Sequence, residues 1–326
     1  MKFAYLLTAL GLLASAPLAA QAPGEAPLKA SAPKMHTGQA PGFYRMHVGR
    51  FEVTALLDGT HPFQAGRLAL NAGPTEVEDK LKARFLASPF EGMINAFLVN
   101  TGERLILIDT GAGNLYGPAG GGLTAAIRQA GYDPAEVRDI FITHLHEDHA
   151  GGLIYDGAVV FPNAVVHVSK RDADFWLNNA NQSQVGDLLR PFFAADQNMV
   201  RPYIAAGRFE TFDGDAPLLP GLTPIAGPGH TPGHTFYLLQ DAGQSMLFWG
   251  DTVHIEPVQL PDPNVALLYD WKPKLAVATR KAIFERAAHE GWWIAGAHIS
   301  FPGIGHIRKT SATGFAWVPA NYTLNR

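Results

Sequence analysis

Four potential metal ligands stand close together in the segment His144-Leu-His146-Glu-Asp148-His149. Neutral imidazoles and carboxylates are ligands that zinc and other divalent first-row metals accept in proteins. On a turn these side chains can diverge, so that His144 and His146 face one ion while Asp148 and His149 face another. The glycines of Gly151-Gly152 let the backbone turn tightly beside such ions. The segment therefore predicts a site for metal ions, two if the four side chains diverge.

Three further potential ligands each follow an apolar run of the kind that forms a strand: His230, Asp251 and His298. A rigid strand can aim a residue of the following loop at a shared point. We therefore expect these three to meet the first four. The alternative is a polar cluster without metal, but seven converging side chains would then need other partners for their buried polar atoms.

The elements that must position these residues can be predicted from local patterns. The β-branched and aromatic run 139–143 predicts a strand that leads to the first histidine, and Thr101-Gly102 predicts a hairpin turn between strands at 95–99 and 104–108. A strand from residue 51 is expected to end at the turn signal Asp58-Gly59. Strands in both halves of the chain are followed by helices, which favours an α/β fold with two sheets between helices.

The N-terminus has the features of an export signal. Lys2 precedes an apolar run of signal-peptide length, and small residues follow. We expect residues 1–20 to be a cleaved signal peptide, 21–42 a loose lead-in rich in Ala, Pro and Gly, and 43–326 one hydrolase domain. The mature protein is then periplasmic or secreted. The chain has no cysteine, which excludes disulfides, a thiolate ligand and a lipid-modified cysteine.

The charge balance excludes some partners. The 25 basic and 29 acidic side chains give a net charge of −4, so neither nucleic acid nor anionic lipid is an expected partner. A small molecule is the expected substrate.

Taken together, the motifs His-x-His-x-Asp-His, Gly-His-Thr-Pro-Gly-His, Gly-Asp and Ala-His occur in an order that resembles the metallo-β-lactamase superfamily. The resemblance implies an αβ/βα sandwich and two divalent ions, zinc first, with cobalt, manganese and iron left open. It implies these ligands: His144, His146 and His230 for one ion, Asp148, His149 and His298 for the other, and Asp251 between them. Asp109 would orient a ligand histidine, and His234 would support the site without binding a metal.

Two such ions lie about 3.5–4 Å apart and share a hydroxide of lowered pKa. The resemblance therefore implies hydrolysis by attack of this bridging hydroxide. Asp148 would hold the hydroxide and pass its proton to the leaving group, which makes Asp148 a catalytic residue as well as a ligand.

Within the superfamily, the chain is similar to methyl parathion hydrolases and their lactonase relatives. The similarity is carried by Phe51-Glu-Val-Thr-Ala-Leu, Phe161-Pro-Asn-Ala-Val-Val and Phe301-Pro-Gly-Ile-Gly-His. It implies an aromatic substrate pocket, for which we expect Tyr116, Trp176, Phe192 and Phe193; the alternative for each is ordinary core packing. It also implies a possible homodimer. His306, just past the last ligand, can approach the pocket or lie elsewhere.

Two positions depart from methyl parathion hydrolase, because His254 and Tyr269 stand where leucines are expected. We expect Tyr269 to line the pocket as a fifth aromatic residue. His254 follows Asp251 by three residues, the spacing at which acyl-homoserine lactonases carry a catalytic tyrosine. A histidine there can stabilise an oxyanion or protonate a leaving alkoxide. We therefore expect lactones or aryl esters as main substrates, with organophosphate triesters as a side activity. Two alternatives are a dedicated phosphotriester hydrolase and a non-enzymatic binding protein.

Overall fold

The computed structural model describes residues 33–36 and 38–323. Residues 1–20 and much of 21–42 lie outside these ranges, so the signal peptide and the lead-in stay predictions. The described residues from 40 onward group into one compact unit, and its first strand begins at Phe43.

Within the described residues, the strands form a seven-stranded sheet, a six-stranded sheet and two short two-stranded pairs. The seven-stranded sheet has the spatial order β1 (Phe43–Val48), β2 (Phe51–Phe63), β4 (Phe90–Asn100), β5 (Leu105–Ile108), β6 (Asp139–Phe141), β9 (Val165–Ser169), β10 (Phe209–Phe212). The six-stranded sheet has the order β11 (Leu222–Ala226), β12 (Thr235–Asp241), β13 (Gln244–Phe248), β15 (Trp293–Ala295), β16 (Ile304–Lys309), β17 (Phe315–Pro319). The pairs are β3 (Ala69–Leu70) with β14 (Ala266–Leu267), and β7 (Ile154–Tyr155) with β8 (Ala158–Val159).

The α-helices of the described residues are α1 (Ala65–Leu68), α2 (Pro74–Lys82), α3 (Leu123–Gln129), α4 (Glu147–Ala150), α5 (Lys170–Trp176), α6 (Arg190–Ala205), α7 (Glu256–Gln259) and α8 (Pro273–Glu290). None of them is long and apolar enough to cross a membrane. The longest, α8, begins with proline at its first position and ends at Gly291 in the left-handed region (φ 66°), a common arrangement for helix ends.

The layers of the sandwich follow from the alternation of side chains along each strand. All four residues of β5 are buried, but Ile106 and Ile108 face the other sheet, whereas Leu105 and Leu107 pack against the outer helices. Because successive side chains of a strand point to opposite faces, a strand covered on both sides is apolar throughout. The same holds for β12, where Tyr237 points inward and Phe236 packs under α8. The αβ/βα arrangement is therefore confirmed.

The predicted hairpin is confirmed, since β4 and β5 pair antiparallel with Val99 opposite Ile106. The predicted end of the second strand at Asp58-Gly59 is wrong, because β2 continues to Phe63 with a register irregularity between Leu57 and Gly59. The carboxylate of Asp58 turns into the neighbouring loop and accepts hydrogen bonds from the amides of Ala112 (2.9 Å) and Leu123 (3.0 Å). The Asp-Gly pair therefore anchors a loop beside the strand instead of turning the chain.

The sheets bring the potential ligands to one edge of the sandwich. β5 and β6 are parallel, and so are β13 and β15. Asp109, His144, Asp251 and His298 come soon after the ends of these four strands, one after each. Because the carboxyl ends of parallel strands meet at one edge of a sheet, the loops that follow them converge there.

Candidate metal centre

The first ligand group consists of His144, His146, His230 and Asp251, whose ligand atoms face one another in a buried position. The Nδ1 atom of His146 lies 3.1 Å from the Nε2 atoms of both His144 and His230. Asp251 Oδ2 lies 3.0 Å from His230 Nε2 and 3.5 Å from His144 Nε2. Three strand ends thus deliver four donor atoms to one small volume.

The second ligand group consists of Asp148, His149 and His298, with the other oxygen of Asp251 beside it. Asp251 Oδ1 lies 2.8 Å from His149 Nε2 and 3.0 Å from His298 Nε2. Asp148 Oδ2 lies 3.5 Å from His298 Nε2, and Asp148 Oδ1 lies 3.8 Å from His149 Nε2. Asp251 therefore faces the first ligand group with one oxygen and the second with the other.

The distances between the facing ligand atoms, 2.8 to 3.8 Å, bracket the spacing of ligands around a small divalent cation. Ligands 2.0–2.2 Å from a tetrahedral ion lie roughly 3.3–3.6 Å from one another. In addition, His149 Nε2, His298 Nε2 and Asp251 Oδ1 are buried without a hydrogen-bond partner among the described residues, although Asp251 Oδ1 lies 2.8 and 3.0 Å from the two nitrogens. The atoms point at a common location rather than at each other, as ligands of an ion do.

The protonation states of the histidines also fit a cation site. Burial lowers the pKa of His144 and His146 well below the ordinary value, so both are neutral donors. Burial opposes charge on His230 as well, yet the carboxylates of Asp251 and Asp270 raise its pKa to about 9. A cation at this position therefore displaces a proton from His230 and takes over the charge that balances Asp251.

The ring nitrogens that face away from the centre are held by other groups. His149 Nδ1 lies 2.9 Å from Asp109 Oδ2, and the Asp109 carboxylate also accepts hydrogen bonds from the amide (2.7 Å) and hydroxyl (2.9 Å) of Thr143. Asp109 adopts a left-handed backbone (φ 59°), a conformation uncommon for residues other than glycine that occurs often at functional sites. Such contacts fix the tautomer and ring direction of ligand histidines.

Two hydrogen-bond partners of the ligand histidines were not predicted from the sequence. Asp270 Oδ1 lies 2.8 Å from His230 Nδ1, and His298 Nδ1 donates to the carbonyl of Met93 at 2.7 Å. Asp270 sits forty positions after the histidine it contacts and outside any motif. A backbone carbonyl such as that of Met93 leaves no mark in a sequence.

His234 lies beside the first ligand group but belongs to none of the sets of converging ligand atoms among the described residues. Its Nε2 accepts a hydrogen bond from the amide of Asp251 at 3.0 Å. Burial lowers the pKa of His234 to about 3, so the ring stays neutral and keeps a lone pair for this bond. The structure thus places His234 where it supports the backbone of Asp251.

His254 lies against the carboxylate of Asp251. Its Nε2 is 2.8 Å from Asp251 Oδ2, and its ring stacks on His298 with centroids 4.6 Å apart. Its Nδ1 is buried and has no hydrogen-bond partner among the described residues. Burial lowers the pKa of His254 to about 4. His254 was expected near the reaction centre, and in the structure it contacts Asp251.

Four of the five expected pocket aromatics lie near the centre. The rings of Trp176 and Phe192 are 5.2 and 4.8 Å from that of His146, and the ring of Tyr269 is 5.3 Å from that of His254. The carboxylate of Asp148 and burial raise the pKa of the fourth, Tyr116, so this phenol keeps its proton.

Phe193 departs from the expectation that it lines the pocket. It is fully buried, as Trp176 is, but its ring packs against Phe175 and Trp176 in the core, whereas that of Trp176 also contacts His146. Neighbouring residues of a helix point about 100° apart, so α6 can present only one of Phe192 and Phe193 to the centre.

Two more histidines have clear positions. His61 is half-buried on β2 beside Tyr116, at 5.4 Å between ring centroids. Burial and the charge of His298 lower the pKa of His61, and the carboxylate of Asp148 opposes this shift. His61 belongs to no motif, so its position beside Tyr116 could not be predicted from the sequence. His306 lies on β16. Its ring packs against that of Trp293, with centroids 3.9 Å apart, and its Nδ1 is 3.0 Å from the carbonyl oxygen of Trp292.

Comparisons with known proteins agree with this geometry. The model of the metallo-beta-lactamase superfamily matches residues 89–298. The hydrolase AbOPH of the beta lactamase superfamily is 36% identical, with a TM-score of 0.83 over 88% of this chain and 100% of that one. AidC, a dizinc quorum-quenching lactonase solved with a product N-acyl-L-homoserine, is 29% identical, with a TM-score of 0.80 over 86% of this chain and 98% of that one.

Curated relatives are matched over shorter stretches. An N-acyl homoserine lactonase of Bacillus thuringiensis is 26% identical over 165 residues, which are 48% of this chain and 58% of that protein. For a lactonase of Bacillus sp., the matched part is 37% of the relative. The chain thus spans between about a third and three fifths of these relatives. On the family match and the solved structures together, this chain belongs to the metallo-beta-lactamase superfamily.

Proposed function

We propose that this protein is a hydrolase that opens lactones or aryl esters with two divalent metal ions, and that zinc is the favoured metal. The observation that carries the proposal is the pair of ligand groups that share Asp251. In the second group, the buried atoms His149 Nε2, His298 Nε2 and Asp251 Oδ1 converge without a hydrogen-bond partner among the described residues. The similarity to AidC, which is a dizinc lactonase, supports zinc as the metal and lactones as the substrate class.

When bound, such a pair of ions lowers the pKa of a water and polarises the carbonyl oxygen of the substrate. The side chains then have separate tasks. Asp148 is half-buried, and its two oxygens face His298 and His149 at 3.5 and 3.8 Å. From this position Asp148 can take the proton of the attacking water and return it to the leaving alkoxide.

The polar lining of the pocket favours a carboxylic ester or lactone. Tyr269 keeps its proton, because burial and the charge of Asp251 raise the pKa of its phenol well above the ordinary value. Tyr116 also keeps its proton. Both can donate hydrogen bonds to ester oxygens, and His254 adds a third polar group 2.8 Å from Asp251. Donors aimed at a developing oxyanion are a large source of rate acceleration.

The second candidate is a phosphotriester hydrolase, and one observation favours it. Half-buried Phe192 lies beside His146 with fully buried Trp176 behind it, ring centroids 6.4 Å apart, and the two form an aromatic wall. Such a wall suits the aryl leaving group of an organophosphate triester as well as that of an aryl ester.

Export to the periplasm or medium, and homodimer formation, remain part of the proposal. The first rests on Lys2 and the apolar run that follows it, the second on the resemblance to the methyl parathion hydrolase branch. Edman sequencing of the secreted protein would test the first, and light scattering of the purified protein the second.

The substrate class is tested by comparing kcat/KM on one zinc-loaded sample for dihydrocoumarin, a long-chain acyl-homoserine lactone and methyl paraoxon. We expect a lactone to exceed the phosphotriester by at least a hundredfold, which is about 2.7 kcal/mol of transition-state binding. If methyl paraoxon is the best substrate, the second candidate replaces the first.

A further inference from the structure

One buried carboxylate outside the ligand groups connects two of the segments that carry them. Asp172 lies in the first turn of α5 and is wholly inaccessible to solvent. Its Oδ2 accepts a hydrogen bond from the amide of Leu145 at 2.8 Å, and its Oδ1 accepts one from the amide of Gly233 at 2.6 Å.

Both amides belong to residues that are close in sequence to histidines of the first ligand group. Leu145 separates His144 from His146, and Gly233 follows His230 by three residues. All three histidines of the first ligand group thus lie within three residues of an amide that Asp172 holds. The same carboxylate makes no comparable contact with the second ligand group among the described residues.

His146 depends on this anchor more than its neighbours do. His144 Nδ1 lies 3.1 Å from the hydroxyl of Thr143, and His230 Nδ1 lies 2.8 Å from Asp270. By contrast, the outer nitrogen of His146, Nε2, has no hydrogen-bond partner among the described residues. The direction of the His146 ring is therefore set by its backbone and by packing against Trp176 and Phe192.

The segment that carries the amide of Gly233 packs tightly against the start of α5. A Cβ atom on Gly233 would lie 2.3 Å from the amide nitrogen of Asp172 and 2.8 Å from Ser169 Oγ. Only glycine lets the segment approach the helix to hydrogen-bond distance. Burying a carboxylate is costly unless other groups compensate for its charge. No lysine or arginine forms an ion pair with Asp172 among the described residues, so the hydrogen bonds from the two amides must offset this cost.

We infer that Asp172 is a positioning residue that sets the spacing of His144, His146 and His230, and so the metal affinity of the first ligand group. It acts through two backbone amides and touches neither metal nor substrate. The inference rests on the proposed function only in that the ligand groups bind metal.

The test uses Asp172→Asn, because asparagine keeps the shape but turns an N–H towards one of the two amides. The matched control is Asp174→Asn, which removes the same charge from the same helix. Asp174 is 63% exposed and binds Lys170 at 2.6 Å, away from both ligand groups. Zinc(II) affinity is measured by competition with a chromophoric chelator, without any substrate, and a melting curve of the metal-free protein shows whether each variant folds.

Two backgrounds separate the ligand groups. With His298→Ala the second group is disabled, and we expect Asp172→Asn to weaken the remaining zinc by roughly 10–100-fold, as loss of outer contacts to ligands does. With His230→Ala the first group is disabled, and we expect less than a threefold change. Asp174→Asn should change neither.

Equal weakening in both backgrounds, or no weakening in the His298→Ala background, would overturn the inference. If Asp172→Asn does not fold, Gly233→Ala serves as a second variant, since its Cβ moves one amide away from Asp172; unchanged zinc binding in the His298→Ala background again refutes the inference. A wild-type protein that binds no zinc would instead refute the proposed function, which distinguishes the two failures.

Discussion

The contact between Asp109 and His149 makes a sharp prediction about the second ligand group. In the structure His149 Nδ1 donates to Asp109 Oδ2 at 2.9 Å, which leaves the lone pair of Nε2 free to face Asp148 and His298. Asp109→Asn puts an N–H₂ group at the position of this oxygen or of the other one. If it faces His149, Nδ1 must become an acceptor, the proton moves to Nε2, and the lone pair for the metal is lost.

The size of the effect follows from the contact that is lost. Removing an outer partner of a metal-ligating histidine costs roughly 10–100-fold in metal affinity, which corresponds to about 1.4–2.7 kcal/mol. The backbone should not move, because asparagine, like aspartate, tolerates the left-handed conformation (φ 59°) found at this position. We therefore expect one of two zinc ions to bind more weakly, with a parallel fall in kcat.

A matched control is present elsewhere in the chain. Asp139 also contacts a histidine, with Oδ1 at 3.0 Å from His167 Nε2, but neither residue belongs to a ligand group. Asp139→Asn should leave zinc affinity and kcat unchanged. Zinc titration with a competing chelator measures both variants, and wild-type affinity at both sites in Asp109→Asn would refute the reasoning.

Three further predictions concern the pocket and its pH dependence. His254→Leu should lower kcat/KM for dihydrocoumarin by at least tenfold and leave that for methyl paraoxon equal or higher; unchanged lactone kinetics would remove His254 from the reaction. Because the pKa of His230 is raised to about 9 in the absence of metal, zinc affinity should rise by up to about tenfold per pH unit from pH 6.5 to 9. The sign for stability is opposite: the raised pKa stabilises the metal-free protein below pH 6.5, and this contribution is lost as the pH rises through 9, which calorimetry of the metal-free protein checks. Phe193→Ala should destabilise the folded protein by roughly 3–5 kcal/mol, whereas Phe192→Ala should mainly raise KM; the reverse pattern in denaturant titration and kinetics would contradict the burial of the two rings.

Much of the site could be predicted because it lies at strand ends and in short motifs. All seven potential ligands and Asp109 are close in sequence to predicted strands, and strand ends are where a sheet fixes the position of a side chain. The order of strands and helices favoured two sheets between helices, and the resemblance to the superfamily implied the αβ/βα sandwich. Local chemistry of this kind leaves a direct mark in the sequence.

What the sequence did not indicate depends on long-range packing. The pairing of His230 with Asp270, and of two ligand segments with Asp172, joins residues that only the folded chain brings together. The turn expected at Asp58-Gly59 failed for the same reason, because the loop that the Asp58 carboxylate binds lies more than fifty residues later. The position of His61 beside Tyr116 follows from the same continuation of β2.

The central claim is that two divalent ions, held by the two ligand groups around Asp251, are needed for hydrolysis. The most direct measurement is a zinc titration of chelator-treated protein in which bound zinc and hydrolysis of dihydrocoumarin are followed in the same sample. The account predicts negligible activity without metal, two zinc ions bound per chain at saturation, and full activity only near the second equivalent. Full activity in the metal-free protein, or a single zinc at saturation, would contradict it.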